Sequence, residues 1–148
     1  MEEGDRLMAY WLFKSEPDVF SFDDLIAKGD AGEEWDGVRN YQARNNMRAM
    51  QLGDRGFFYH SNIGKEVVGI AEVIALAHPD STADDPKWEC VDLRAVARVV
   101  RPVSLDEAKA EPRLKDMVLV NNSRLSVQPV ADAEWAAILD MAGGTKDL

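Results

Sequence analysis

The sequence predicts an α+β fold: a curved, mostly antiparallel sheet with flanking helices, inclined to curl into a small open barrel. Three observations lead there. The elements expected along the chain run strand, helix, helix, several strands and a terminal helix, the order of an α+β domain. The strands are short and carry Gly at their bends, as small open barrels do. The 148 residues, 46% of them apolar, fit one compact domain over 1–148, with no repeat, low-complexity tract or interdomain linker.

Residues 1–7 read as a frayed start. Residues 8–13, MAYWLF, form a continuous apolar and aromatic run, the pattern of a buried strand. Pro17 ends it, because proline cannot donate to a ladder and pushes Glu16 toward extended geometry. Ser21 then opens a helix that runs to about Lys28, and Ser21 and Asp24 have the spacing of a capping box. Asn40 is the expected N-cap of a second helix over 41–50. Ala43, Met47 and Met50 recur at i, i+4 and i+7 and should face the core, while Asn40, Arg44 and Arg48 share a different face.

GFFYH (56–60) and VVGIAEVIALA (67–77) read as strands joined through a turn at Asn62 and Gly64. Gly69 inside the second marks a bulge or a close approach. WECVDLRAVARVV (88–100) alternates as a long strand, with Val91, Leu93 and Ala95 on one face and Asp92 and Arg94 on the other, and Pro102 should end it. Ser104 and Glu107 cap a short helix, and residues 117–120 carry an apolar stretch. A polar loop then leads to a short extended piece. The terminal helix takes Asp132 as N-cap, turns Trp135, Ile138 and Leu139 inward and stops at Gly143, so that residues 143–148 read as a flexible tail.

The formal net charge is −10, from 27 acids against 17 bases. That argues against a broad, phosphate-driven grip on nucleic acid but leaves room for a local basic face at Arg39, Arg44 and Arg48. Cys90 is alone, so no intramolecular disulfide can form, and its apolar surroundings suit a buried small hydrophobe. The two histidines, His60 and His78, follow no zinc-ligand spacing, so no metal is expected. No apolar run reaches 18 residues, so no membrane-spanning helix and no membrane partner are expected. The acidic N-terminus lacks an apolar leader segment, which gives a cytoplasmic expectation.

Residues 35–50, WDGVRNYQARNNMRAM, are poor material for a core and good material for gripping a flat ligand by its face and edges. Reading a base needs an aromatic to stack on and donors or acceptors for its edge. Trp35 supplies a ring among polar neighbours, and Asp36 can accept from an exocyclic amine as a carboxylate does from cytosine. Asn40, Gln42, Asn45 and Asn62 both donate and accept. His60, Ser61 and Asn62 directly follow a strand, which could aim them at a pocket. Trp11 and Trp135 read as core, whereas Trp88, at a loop end, reads as either a pocket lid or a sheet anchor. Arg44 and Arg48 face no acid at i±4, which suits an external anion, or acidic loops elsewhere in the fold. Phosphate-cradling, dinucleotide, nucleophile-elbow and zincin motifs are all absent. Lys14, Glu16 and His60 could assemble an acid–base site, yet nothing in their spacing demands it, so no enzyme is expected.

YWLFKSEP, WDGVRNYQARNNMRAM, GFFYHSN, GIAEV and LSVQP, in that order, resemble the EVE domain family from residue 10 to about residue 141. The resemblance implies a PUA-like pseudo-barrel of mostly antiparallel strands with flanking helices, shared with YTH and ASCH domains. It implies a non-catalytic reader of a modified base, with modified cytosine of the 5-methylcytosine type in DNA as the expected ligand, extruded into an aromatic and polar pocket. It adds Ser15 beside the pocket and Arg124 near backbone phosphate. The expected base pocket is then Ser15, Trp35, Asp36, Tyr41, His60, Ser61, Asn62 and Trp88, with Trp88 as second aromatic. Arg39, Asn40, Arg44, Arg48 and Arg124 are the expected backbone contacts. No cofactor is implied. A nuclease or helicase is the implied protein partner, because family members are often fused to such modules. An RNA-binding PUA-type module and a small hydrolase acting on a modified nucleoside are the alternatives.

Overall fold

The computed structural model describes residues 9–122 and 124–148; the expected frayed start, residues 1–7, lies outside them. Strand β1 (Tyr10–Ser15) leads through Pro17 to helix α1 (Phe22–Ala27). The capping box forms as expected: the Ser21 hydroxyl oxygen accepts the Asp24 N–H at 3.1 Å, and the Asp24 carboxylate accepts the Ser21 N–H at 2.8 Å. A 3-10 turn precedes the short strand β2 (Glu33–Glu34). Helix α2 (Tyr41–Ala49) is capped by Asn40, whose Oδ1 accepts the Ala43 N–H at 2.9 Å. Strands β3 (Arg55–His60), β4 (Glu66–Pro79) and β5 (Glu89–Ser104) follow, then short helices α3 (Leu105–Ala110) and α4 (Val118–Asn121), strand β6 (Val127–Val130), helix α5 (Asp132–Ala142) and strand β7 (Thr145–Lys146).

The seven strands make one sheet in the order β2-β5-β4-β3-β1-β6, with β7 added against β5. β1 and β3 are parallel, and the other pairings are antiparallel. The sheet is not closed into a barrel: β2 and β6 stand at the two ends of the path. The β3–β4 and β4–β5 pairings shift register at several points, and such bulges bend a strand.

Both faces of the sheet are covered, which explains why β1 and β3 read as unbroken apolar runs rather than alternating ones. Trp11, Phe13 and Phe58 point into one core with Phe22, Leu25, Ala43, Met47 and Met50 of the α1–α2 side. Leu12, Phe57 and Tyr59 point into the other with Leu114, Leu119, Trp135 and Ile138 of the α3–α5 side. There the Trp135 ring stacks on Phe57 with centroids 3.9 Å apart and on Tyr10 at 4.2 Å. Gly69 is where the register slips, and a Cβ there would lie 2.3 Å from the ring of Phe22, so glycine lets α1 press onto the sheet.

Three expectations need correction. Pro102 does not end β5; Val103 and Ser104 still pair with Val67 and Glu66. The ring is tolerated because β7 reaches only the Arg98–Val99 level, leaving Pro102 exposed on a strand edge. Asp132 is the first residue of α5 rather than its cap; Ala131 holds the cap position, and its N–H is accepted by the Glu134 carboxylate at 2.9 Å. The segment 143–148 is not a free tail: Gly143 ends α5 in the left-handed conformation, and Thr145 and Lys146 then pair with Val99 and Arg98.

Candidate functional site

A cavity of about 720 Å³ opens where the parallel strands β1 and β3 end. It wraps around that end of the sheet. Phe20 and Trp35 reach it from one core, and Tyr59, Leu105 and Leu119 from the other. Ser15, Ser61 and Asn62 line it from the strand ends, Ser126 from the segment before β6, and Val19 and Val38 add apolar wall. The charged groups around it are mixed: Glu16, Glu33, Glu34 and Asp36 against Lys14, Arg39 and Lys65.

Trp35 is a wall rather than a free ring. It is only 8% exposed, and Phe13, Phe20 and Phe58 meet it edge-on with centroids 5.7, 6.2 and 5.6 Å away. Its backbone N–H donates to the Val91 carbonyl at 2.8 Å, which ties the start of the loop to β5. Asp36 follows on the surface. Partial desolvation raises its carboxyl above the usual range, with Asp80, Glu34 and Glu33 adding repulsion and Arg39 opposing them. Opposite, the Ser15 hydroxyl donates to the Phe20 carbonyl at 2.5 Å, and the Ser15 carbonyl accepts the Ser61 N–H at 2.9 Å. Asn62 sits at φ 70°, a left-handed position that asparagine tolerates better than most residues.

One buried acid, not singled out in the sequence, holds the loop that follows Trp35. Asp80 is 4% exposed and accepts from the Gly37 N–H at 2.8 Å, the Thr82 hydroxyl at 2.6 Å, the Thr82 N–H at 2.7 Å and Arg39 at 3.0 Å. Burial alone would push its carboxyl up, but these donors hold it at about 2. Arg39 is thereby fixed at the cavity rim, with a further contact to Thr82 at 3.3 Å.

Of the expected pocket residues, Ser15, Trp35, Asp36, Ser61 and Asn62 line the cavity, joined by Arg39 from the expected backbone contacts. His60 does not. Its ring turns to α1, where Nε2 accepts the Phe22 N–H at 3.1 Å, and burial lowers the imidazole below its ordinary range, with Glu66 and Asp23 opposing. His60 ends β3 on the face of Phe58, whose ring meets its imidazole edge-on with centroids 5.6 Å apart. Lys14 and Glu16 line the cavity and His60 does not, so the three do not converge on one site. Tyr41 and Trp88 also lie off the cavity, stacked on each other with centroids 5.0 Å apart.

Among the expected backbone contacts, Asn40 spends its Oδ1 on the helix cap. Arg44 donates to Asn45 Oδ1 at 2.8 Å and to the Lys87 carbonyl at 3.0 Å, and Arg48 pairs with Glu89. Arg124 is exposed and lies off the cavity lining. Lys14, Phe20, Tyr59, Lys65 and Ser126 line the cavity without having been named for it. Tyr59 reaches it from the face of β3 that packs on the α3–α5 side. Burial pushes its phenol up to about 12, with Asp106 adding to the shift, and lowers the neighbouring Lys14 ammonium, whose Nζ lies 5.8 Å from the Tyr59 ring. Glu34 of the cavity lining also brings a ligand-type atom within 4.8 Å of those of His78 and Cys90. His78 is engaged there by Asp92 at 2.7 Å and the Pro79 carbonyl at 2.9 Å, while burial and surrounding acids push the Cys90 thiol up to about 12.

Comparison with known proteins matches this geometry to a family. A protein from Agrobacterium tumefaciens of known structure is 58% identical, with a TM-score of 0.90 covering 94% of this chain and 99% of that one. Human THYN1, solved in complex with 5-methylcytosine containing DNA, is 37% identical with a TM-score of 0.84 over 90% of this chain and 97% of that one. Thymocyte nuclear protein 1 of Mus musculus is 39% identical over 170 aligned positions, 93% of this chain and 75% of the mouse protein. These relatives correct the cytoplasmic expectation: the mouse protein is named a nuclear protein, and the human one is bound to DNA. The EVE domain model matches residues 9–141, and on that span and these identities the chain belongs to the EVE domain family.

Proposed function

We propose that the chain is a non-catalytic nucleic-acid-binding module that reads a modified cytosine of the 5-methylcytosine type in DNA, taking the extruded base into the cavity at the ends of β1 and β3. The observation that carries this reading is the combination at one opening of a rigid indole wall, Trp35, and an acceptor, Asp36, whose carboxylate no described residue hydrogen-bonds. The 5-methylcytosine DNA held by human THYN1 supports it.

Extruding a base costs a few kcal/mol, and stacking against an aromatic returns about 1–3 kcal/mol. Asp36 accepts from the cytosine exocyclic amine. Val19, Phe20 and Val38 offer the apolar surface that a 5-methyl group would replace water with. Arg39 and Lys65 stand at the rim for flanking phosphates. The charge of −10 keeps the general phosphate attraction weak, so affinity should depend on the pocket more than on the backbone.

Extrusion has a direct readout. With 2-aminopurine placed next to the modified cytosine in a duplex, its fluorescence should rise several-fold on adding the protein, because the probe loses its stacking neighbour. A binding-saturated duplex whose probe stays quenched would mean the base never leaves the stack.

A further inference from the structure

We infer that the stacked Tyr41–Trp88 pair, with Arg44 and Lys87, is a second nucleobase site: a platform for an unpaired base next to the one in the cavity. This rests on the nucleic-acid reading above. The two rings stack at a 27° interplanar angle, and Tyr41 remains 53% exposed although it opens a helix whose other face anchors the core. Cations converge on the pair. The Arg44 guanidinium lies 4.9 Å from the Tyr41 centroid and 5.9 Å from that of Trp88; the Lys87 ammonium lies 5.5 and 5.4 Å from the same two rings.

Their partners decide what the patch can take. Arg44 is held by neutral acceptors, Asn45 Oδ1 and the Lys87 carbonyl, so its charge is not cancelled there, in a chain carrying a net −10. Lys87 meets Asp85 at 3.7 Å with both side chains about half exposed, a contact that water weakens. A flat aromatic surface beside Arg44, with its neutral partners, and Lys87, with its half-exposed ion pair, is the chemistry that binds a base by its face and its phosphate by charge. Arg39 joins the two sites: it lines the cavity, and its guanidinium lies 5.7 Å from the Trp88 ring. A strand with one base in the cavity would then pass Arg39 and lay its neighbour on Tyr41.

The test compares a 5-methylcytosine oligonucleotide, its unmethylated counterpart and the free 5-methylcytosine nucleotide, each titrated into the full chain and its Tyr41→Ala and Tyr41→Phe variants. Tyr41→Ala should weaken the oligonucleotide by about 5- to 150-fold, the range for a lost base–aromatic stack, and leave the free nucleotide within about twofold. Tyr41→Phe should retain the affinity. An oligonucleotide abasic at the adjoining position should show the same loss with the unaltered protein and no further loss with Tyr41→Ala. Unchanged oligonucleotide affinity in Tyr41→Ala, or an equal loss for the free nucleotide, overturns the platform. If the unaltered protein ignores the methyl group while the Tyr41 and abasic losses still coincide, the platform stands and the modified-base reading falls. If it binds no oligonucleotide, both fall.

Discussion

Replacing Trp35 with alanine should lower folding stability by about 3–5 kcal/mol, the usual cost of truncating a buried aromatic. The indole is 8% exposed and meets three rings edge-on, so its removal opens a void shared by Phe13, Phe20 and Phe58. Domains of this size have only about 5–15 kcal/mol to lose. Denaturant titration should show a midpoint falling at nearly constant slope; a shift below about 1 kcal/mol would mean Trp35 is peripheral. Loss of binding in this variant would therefore say little about ligand contact. Trp35→Phe separates the two roles: it should keep the fold and still weaken the modified oligonucleotide more than the unmodified one.

Asp36→Ala should cost about 1–3 kcal/mol of binding, roughly 5- to 150-fold, with the unmodified fold retained. Its carboxylate makes no hydrogen bond to a described residue, so no internal donor is orphaned when it goes. The pH dependence follows from its raised ionisation range. Protonation removes the acceptor, so binding should fall as the solution is acidified, beginning above the pH at which an ordinary aspartate protonates. Stability runs the other way. A carboxyl raised in the folded state favours folding below its unfolded range and loses that contribution as pH rises through the folded value. At neutral pH the charged form therefore opposes folding, and Asp36→Ala should melt at a slightly higher temperature while binding more weakly. A lower melting temperature with unchanged binding would make Asp36 a structural residue.

What could be read from the residues divides by range. Local patterns were legible: the capping boxes at Ser21 and Ser104, the Asn40 cap and the buried Ala43, Met47 and Met50 all follow from spacings within one or two turns. The architecture was legible because both strand pattern and motif order pointed to it. The cavity was legible where neighbours in sequence stay neighbours in space, as with Trp35 and Asp36 or Ser61 and Asn62. It was not legible where the sheet sets the partners. Trp88 meets Tyr41 only because the start of β5 passes α2, and no local spacing announces that contact. Asp80 looks like one more acid in a polar loop until the chain folds it beneath Gly37 and Arg39. Nor was the place of His60 legible, since its turn toward α1 depends on the Phe22 N–H, which only the fold brings to it.

A cavity that reads the modified base must distinguish a methylated cytosine from a plain one. Paired fluorescence-anisotropy titrations of one labelled DNA duplex, with and without a single 5-methylcytosine, measure that difference directly. One methyl group in an apolar pocket is worth roughly 10- to 200-fold. The methylated duplex should bind at least about tenfold more tightly, and Asp36→Ala should weaken it most. Equal affinity for the two duplexes would contradict that reading.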